Sequence, residues 1–301
     1  MAEARLAVAR LDLELRVRRA FAEALAAETR IGTARTAAAT AREVAETSAK
    51  LVVGGRVPPL NETRARVEQS GADSAVVTAF QQADAARYAL ALLWGNVEAD
   101  IALAGSLDRD IAVAVSNATS PSEDLPDVVL ARLDLARTQA VAASARTART
   151  PDPALRLGVR RLNELGTTAL VAGVGISLPL FDRGGGNIAV AEADISRATA
   201  ALAQAEADAA SRVIVAHGAL TAARSELAAL NAIALPGAEE GLRVARIGFA
   251  AGRFGYLELL DAQRALAQAR RQQVDARLAI ALRAAELDRA LGRSISEGAR
   301  R

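Results

Sequence analysis

Cysteine is absent from the 301-residue chain, histidine occurs once, at His217, and methionine stands only at position 1. Disulfides and thiolate metal sites are therefore excluded, and imidazole or thioether metal chemistry has almost nothing to work with. Aromatic residues reach only 3%, too few for a thick aromatic core. A dominant charge is also missing: 37 basic and 35 acidic residues leave a formal net charge of +2, which gives no electrostatic case for nucleic acid as the main partner. No unbroken apolar run reaches the roughly 18 residues of a membrane helix. The N-terminal MAEARLAVARLDLELR is charged from its third residue and lacks the apolar stretch of a signal peptide. The expectation is either cytosolic residence or a true start upstream of this sequence.

What the chain does have is small apolar side chains. Half of it, 51%, is apolar, with alanine prominent. That composition suits long helices packed closely through small residues. The pattern predicts helix from about 3 to 53, then a break at GGRVPPLNE (54–62), where two glycines end one helix and two prolines fit the next start. A second helix is expected to about Gly95, with Tyr88 and Trp94 as packing anchors, then a mixed stretch with turns. A third helix is expected from about Glu123 to Thr147.

The chain then changes character. Leu155, Leu157 and Val159 alternate with Arg156, Gly158 and Arg160, the period-two pattern of a half-exposed strand. LNELGT reads as a turn and Leu170 to Phe181 as a second strand, giving a β-hairpin. Helical pattern returns after FDRGGGN and lasts to about Gly292. Ile188, Ile195, Leu202, Ala209 and Ala216 recur every seventh residue, with Ala191, Ala198 and Ala205 between them, a seam for coiled-coil-like packing. Pro236 should bend or pause this helix. From 187 to 250 it would span about 95 Å.

The two ends of the chain repeat each other. Gly55 set on Gly252 brings Arg56 onto Arg253, Leu60 onto Leu257, Val77 onto Val274, Leu90 onto Leu287 and Gly95 onto Gly292 without a gap. Each half thus reads as long helix, glycine turn, long helix back. The expected divisions are a first helical hairpin at 1–95, an equatorial linker and helix at 96–150, a β-hairpin at 151–182, a second helical hairpin at 183–292 and a tail at 293–301.

The glycines at 184–186 invite a nucleotide reading, which fails. A phosphate loop needs Lys-Ser/Thr after its glycines, and GVGISL lacks the third glycine of a dinucleotide fingerprint. They fit a sharp strand-to-helix transition, with Asn187 as helix cap. His217, among alanines and valines, reads as a packed or tunnel-facing residue. Arg160 and Arg161 fit either a barrel lumen or its rim. No catalytic constellation stands out and no cofactor is expected.

Three features together carry a resemblance: GISLPLFDRGGGNIAVAEADI, LPGAEEGLRVARIGFAAGRFGYLELLDAQRALAQA, and the divergent first copy. The chain resembles the TolC-like outer membrane efflux proteins, in their CzcC-like branch. The resemblance implies a mostly α fold of long helical hairpins in two repeats, with a β-hairpin feeding a trimeric outer-membrane barrel. It implies a homotrimer embedded in outer-membrane lipid and reaching through the periplasm. It implies docking to a periplasmic adaptor, and through that to an inner-membrane pump. The function implied is passive export of metal cations or small toxic compounds, without enzymatic chemistry. Gly55, Arg56, Val57, Gly252, Arg253 and Phe254 would form the adaptor-docking tips, and Glu258 and Asp261 the pore constriction. No metal site is implied. Only one β-hairpin is visible where the family has two, so a truncated gene, a late start codon or a fragment is expected. A soluble coiled-coil scaffold is the alternative, and a helical enzyme a weaker one.

Overall fold

Proline-free, alanine-rich segments become helices, and the breaks fall where proline or glycine interrupts them. The computed structural model describes residues 1–95, 102–107, 125–147, 150, 152–162, 166–176 and 184–294. Helix α1 spans Ala2–Val53 and α2 spans Pro59–Ala91, finished by a short 3-10 turn, Leu92–Trp94. Helix α3 covers Pro126–Thr147, strand β1 Pro153–Leu162 and strand β2 Thr167–Ile176. Helix α4, Gly185–Ala229, passes through a π-helical turn, Leu230–Ala234, into α5, Leu235–Ala250, and α6 runs Tyr256–Ala290. Most of the mixed stretch after Gly95, residues 163–165 and residues 177–183 lie outside the described residues, and so does much of the expected linker and tail.

The chain forms two compact units: residues 1–8 with 123–209, and residues 9–122 with 210–301. In the first, α3 lies along α4. Leu125, Val128 and Ala209 are buried together with Leu202 beside them. Arg132–Glu206 and Arg146–Glu192 ion pairs, at 3.3 and 2.9 Å, tie the same helices at the surface. The hairpin also belongs to this unit.

In the second unit the seam continues on α4 as Val213, Ala216, Leu220 and Ala223, packed on Ile280, Ala284, Leu287, Ala290 and Leu291. The intervening seam position moves from three residues on (Ala191, Ala198) to four residues on (Val213, Leu220). This is the drift expected of a 3.6-residue helix against a seven-residue repeat. Ala22, Leu25 and Ala26 of α1 pack against Val274 and Ala281 of α6, and Ala27 and Ile31 against Ala79 and Ala83 of α2. Ion pairs decorate these seams: Arg18 with Asp288, Arg19 with Glu286, Arg87 with Glu28 at 2.7 Å and Arg30 with Asp275 at 2.7 Å. Partly exposed pairs of this kind each add little stability.

The expected pause at Pro236 is real, and its form is specific. Proline offers no N–H to the carbonyl four residues back, and the preceding turn widens, with the Leu235 N–H reaching the Leu230 carbonyl. Asn231 in that turn accepts from the Gln273 amide of α6 at 2.6 Å.

Three expectations need correction. Asn187 is not the cap of α4: the helix begins at Gly185, and Gly184, at φ +66°, accepts the first bond from Ile188 N–H at 3.1 Å. Glycine alone adopts that backbone readily, so the start moves upstream of the asparagine. Tyr88 and Trp94 are not packing anchors within the chain, being 39% and 53% exposed: Tyr88 lies on the outer side of α2, and Trp94 ends the 3-10 turn that follows it. The helical run Gly185–Ala250 does hold one charge-poor window, of mean hydropathy 1.2, apolar enough by length and composition to cross a membrane. Charged residues interrupt the run, but its alanines and valines raise the average.

Candidate functional site: paired turns and a two-faced hairpin

The α1–α2 and α5–α6 connections are copies of each other down to individual hydrogen bonds. In the first, Gly55 N–H reaches the Val52 carbonyl at 2.9 Å and Arg56 N–H the Leu51 carbonyl at 2.9 Å. In the second, Gly252 N–H reaches Phe249 at 3.0 Å and Arg253 N–H reaches Gly248 at 2.8 Å. These are the same four positions at the offset that places Gly55 on Gly252. The pattern is the glycine-terminated helix stop, which needs a left-handed residue after the cap. Gly55 and Gly252 supply it, at φ +67° and +70°. The offset holds at the far end too, where Gly95 and Gly292 have φ of +77° and +73° and each bonds back to its helix at 3.2 Å.

Both turns belong to the second unit and meet at one end of it. Arg56 Nη2 donates to the Ala250 carbonyl at 3.3 Å. Beneath lies a cluster of Val44, Ala45, Ala65, Leu242, Phe249, Tyr256 and Leu259, with Val57 packed against it. Phe249 and Tyr256 meet edge to face, centroids 6.3 Å apart. Ion pairs Arg246–Glu43 at 3.0 Å and Arg264–Glu68 at 2.8 Å bridge the helices just below. Gly55, Arg56, Gly252, Arg253 and Phe254 are exposed, while Val57 is half-buried.

Phe254 is held by its own turn. A Cβ on Gly248 would stand 2.2 Å from the Phe254 ring, so the ring lies on backbone that only glycine leaves bare. Phe254 N–H also reaches the Gly248 carbonyl at 3.2 Å. Sequence reading missed Gly248; its position five residues before an arginine that closes the turn was the available signal.

Glu258, in the first turn of α6, and Asp261, in the second, are both exposed, and neither carboxylate has an ion-pair partner among the described residues. A Cβ on Gly255 would come 2.8 Å from Glu258 Oε2, so that side chain folds back over the turn. Arg264, one helical turn beyond Asp261, is held protonated by its hydrogen bond to Glu68, with a smaller contribution from Asp261. Burial, and then the Glu68 carboxylate, push the Tyr256 phenol up, while Arg264 and Arg64 pull it down. Its hydroxyl is buried and lacks a hydrogen-bond partner among the described residues. His217 is half-buried in α4. Among the described residues no group of three His, Cys, Asp or Glu side chains could hold a metal ion.

The hairpin of the first unit has two chemically different faces. Antiparallel register sets Leu155 against Val174, Leu157 against Ala172 and Val159 against Leu170. These residues share one face, and Leu155, Leu157 and Leu170 are about four-fifths exposed, at 81%, 82% and 80%. Arg156 against Gly173 and Gly158 against Val171 form the other face. Each strand has 10 residues, the length that crosses the hydrocarbon core of a bilayer in a barrel. One face of apolar side chains and one carrying arginines among small residues and Val171, at that length, fits a membrane-barrel strand pair. Arg160 and Arg161, which sequence reading treated alike, fall on opposite faces.

Comparison with known proteins agrees with this architecture. Residues 122–293 match the family model described as outer membrane efflux protein. The chain is 34% identical to the cobalt-zinc-cadmium resistance protein CzcC of Cupriavidus metallidurans, over 97% of this chain and 71% of that one. Its fold is shared with the solved structure of CusC, with TM-score 0.88 and 21% identity over 97% of this chain and 71% of that one. The Vibrio cholerae outer membrane protein VceC is similar at TM-score 0.81 and 22% identity, over 97% and 72%. Two glycine-turned helical hairpins, a strand pair of membrane length with one apolar face, and a matched family model over most of the chain lead to one assignment: the chain belongs to the outer membrane efflux protein family.

Proposed function

We propose that this chain is the outer-membrane conduit of a tripartite efflux system and that its cargo is divalent transition-metal cations. The observation that carries the membrane placement is the hairpin, whose exposed leucine and valine face would be costly in water and is matched to lipid. The similarity to a cobalt-zinc-cadmium resistance protein supports the cargo. The scaffold alternative leaves that apolar face unexplained.

In this reading three copies close a barrel and a helical tunnel. Two exposed turns per copy, at Gly55, Arg56, Val57 and at Gly252, Arg253, Phe254, meet the tips of a periplasmic adaptor. Glycine lets the partner approach the backbone, and the paired arginines offer donors in a fixed fork. Glu258 and Asp261 from each copy place carboxylates around the narrowed mouth, where they concentrate cations and repel anions. Arg264 lies close behind, but its charge is already engaged by Glu68. The conduit does no chemistry of its own; the inner-membrane pump supplies energy and the choice of cargo.

Deleting the gene and measuring cellular cobalt, zinc and cadmium tests the proposal. Accumulation is expected to rise several-fold and to return to normal with the wild-type gene. Replacing both Arg56 and Arg253 by Glu is expected to block that rescue while leaving the protein in the membrane. Unchanged metal content after deletion would end the cargo assignment.

A further inference from the structure

The inner face of the hairpin carries charge of one sign, and the strand register shows where. Arg156 and Arg160 stand four residues apart on β1, on the same face and about 13 Å from each other along the strand. Apart from Val171, which stands opposite Gly158 on this face, their named neighbours are small. Gly173 lies opposite Arg156 and Gly158 lies between the two arginines. A Cβ added to Gly158, Gly173 or Gly175 would meet nothing within 4 Å, so these glycines leave open space around the arginines. Neither guanidinium has an ion-pair partner among the described residues. The one carboxylate among the described hairpin residues, Asp152, precedes the strand. It lies about 13 Å from Arg156, beyond a Debye length in physiological salt.

The opposite face fixes which side is inside. It holds Leu155, Leu157, Val159, Leu170 and Val174, all exposed, and an arginine placed there at mid-membrane would cost about 2–4 kcal/mol. Arg161 shares that outer face, but it stands next to the strand end, where the cost falls to about 0–1 kcal/mol and a long side chain can reach the headgroups. The register therefore separates two adjacent arginines by role: Arg161 at the lipid rim, Arg160 in the lumen.

We propose that Arg156 and Arg160 form a cationic band inside the barrel that favours anions over free cations at that level of the conduit. This rests on the hairpin's place in an outer-membrane barrel. Repeated in each copy, the band has the sign opposite to that of the Glu258 and Asp261 carboxylates. A metal ion would then pass the barrel most readily with its charge neutralised by bound small anions.

The test is reversal-potential measurement on the purified full-length protein in planar bilayers under a potassium chloride gradient. Replacing Arg156 and Arg160 together by Glu should raise the potassium-to-chloride permeability ratio several-fold over wild type, and Arg161→Glu should leave it unchanged. A second measurement does not depend on charge reversal being tolerated. Because these 301 residues hold no cysteine, Arg160→Cys and Arg161→Cys each add one thiol, read against the unsubstituted protein treated in the same way. A bulky charged thiol reagent should reduce current through the first and not the second. Conducting pores whose selectivity ignores the double substitution would overturn the band alone. A wild-type protein that forms no pore would overturn the barrel reading and the band with it.

Discussion

The two glycine turns share a backbone but not a chemistry. Both stop a helix with the same pair of bonds and a left-handed glycine, and both restart a helix at the equivalent position, Pro59 or Tyr256. Around that common frame the side chains have diverged. The first turn presents Val52, Val57 and two prolines, with Asn61 and Arg64 on the helix that follows. The second buries Phe249 and Tyr256, seats Phe254 on Gly248, and exposes Glu258 and Asp261. The comparison teaches that a duplicated hairpin keeps the geometry of its stop, which only glycine supplies, while packing and charge are free to specialise.

The largest expected effect separates the turns by packing. Phe249→Ala removes a ring that is 2% exposed and should cost about 3–5 kcal/mol. Val52→Ala at the equivalent, half-buried position should cost well under half of that, and chemical denaturation compares the two. Equal losses would erase the distinction. Next, Gly55→Val and Gly252→Val should each cost about 1–3 kcal/mol, and similar amounts, because both force a branched residue to positive φ. A large difference between them would break the claim of a shared frame. Gly248→Ala should release the Phe254 ring from its seat, raising its exposure to oxidative or photochemical footprinting. The equivalent Leu51→Ala has no ring to release.

A smaller effect is pH-dependent. The Tyr256 phenol is raised by burial, so its neutral form is favoured in the folded protein. Stability should hold steady below the ordinary tyrosine pKa of about 10 and fall as pH rises through the higher folded value. Tyr256→Phe should flatten that alkaline decline and cost little at neutral pH, since the buried hydroxyl has no partner to lose among the described residues. Smallest of all, Glu68→Ala should change stability by less than about 1 kcal/mol, and less still in high salt, because the Arg264–Glu68 pair is exposed.

Much of this architecture is legible in the sequence. Glycine and proline mark breaks because no other residue has their backbone limits, and a seven-residue alanine seam states helix packing openly. The hairpin was visible because Leu155, Leu157 and Val159 alternate with Arg156, Gly158 and Arg160. What escaped depends on relations between distant residues. Gly248 gains its meaning only from the ring of Phe254, whereas Arg160 parts from Arg161 by simple strand alternation that the sequence reading did not carry past Arg160. The π-turn before Pro236 was invisible for a different reason. Proline predicts a disturbance, but the choice between kink, break and widening depends on contacts such as Asn231 with Gln273. Trp94 likewise ends a 3-10 turn that no residue in that stretch announces.

The central claim is the proposed one: the hairpin anchors a multi-copy conduit in the outer membrane, and the paired turns meet its partner. Membrane fractionation of cells making the full protein, followed by mass measurement of the gently extracted species, tests it most directly. The account predicts recovery from the outer membrane as three copies of the chain. A water-soluble monomer would contradict it.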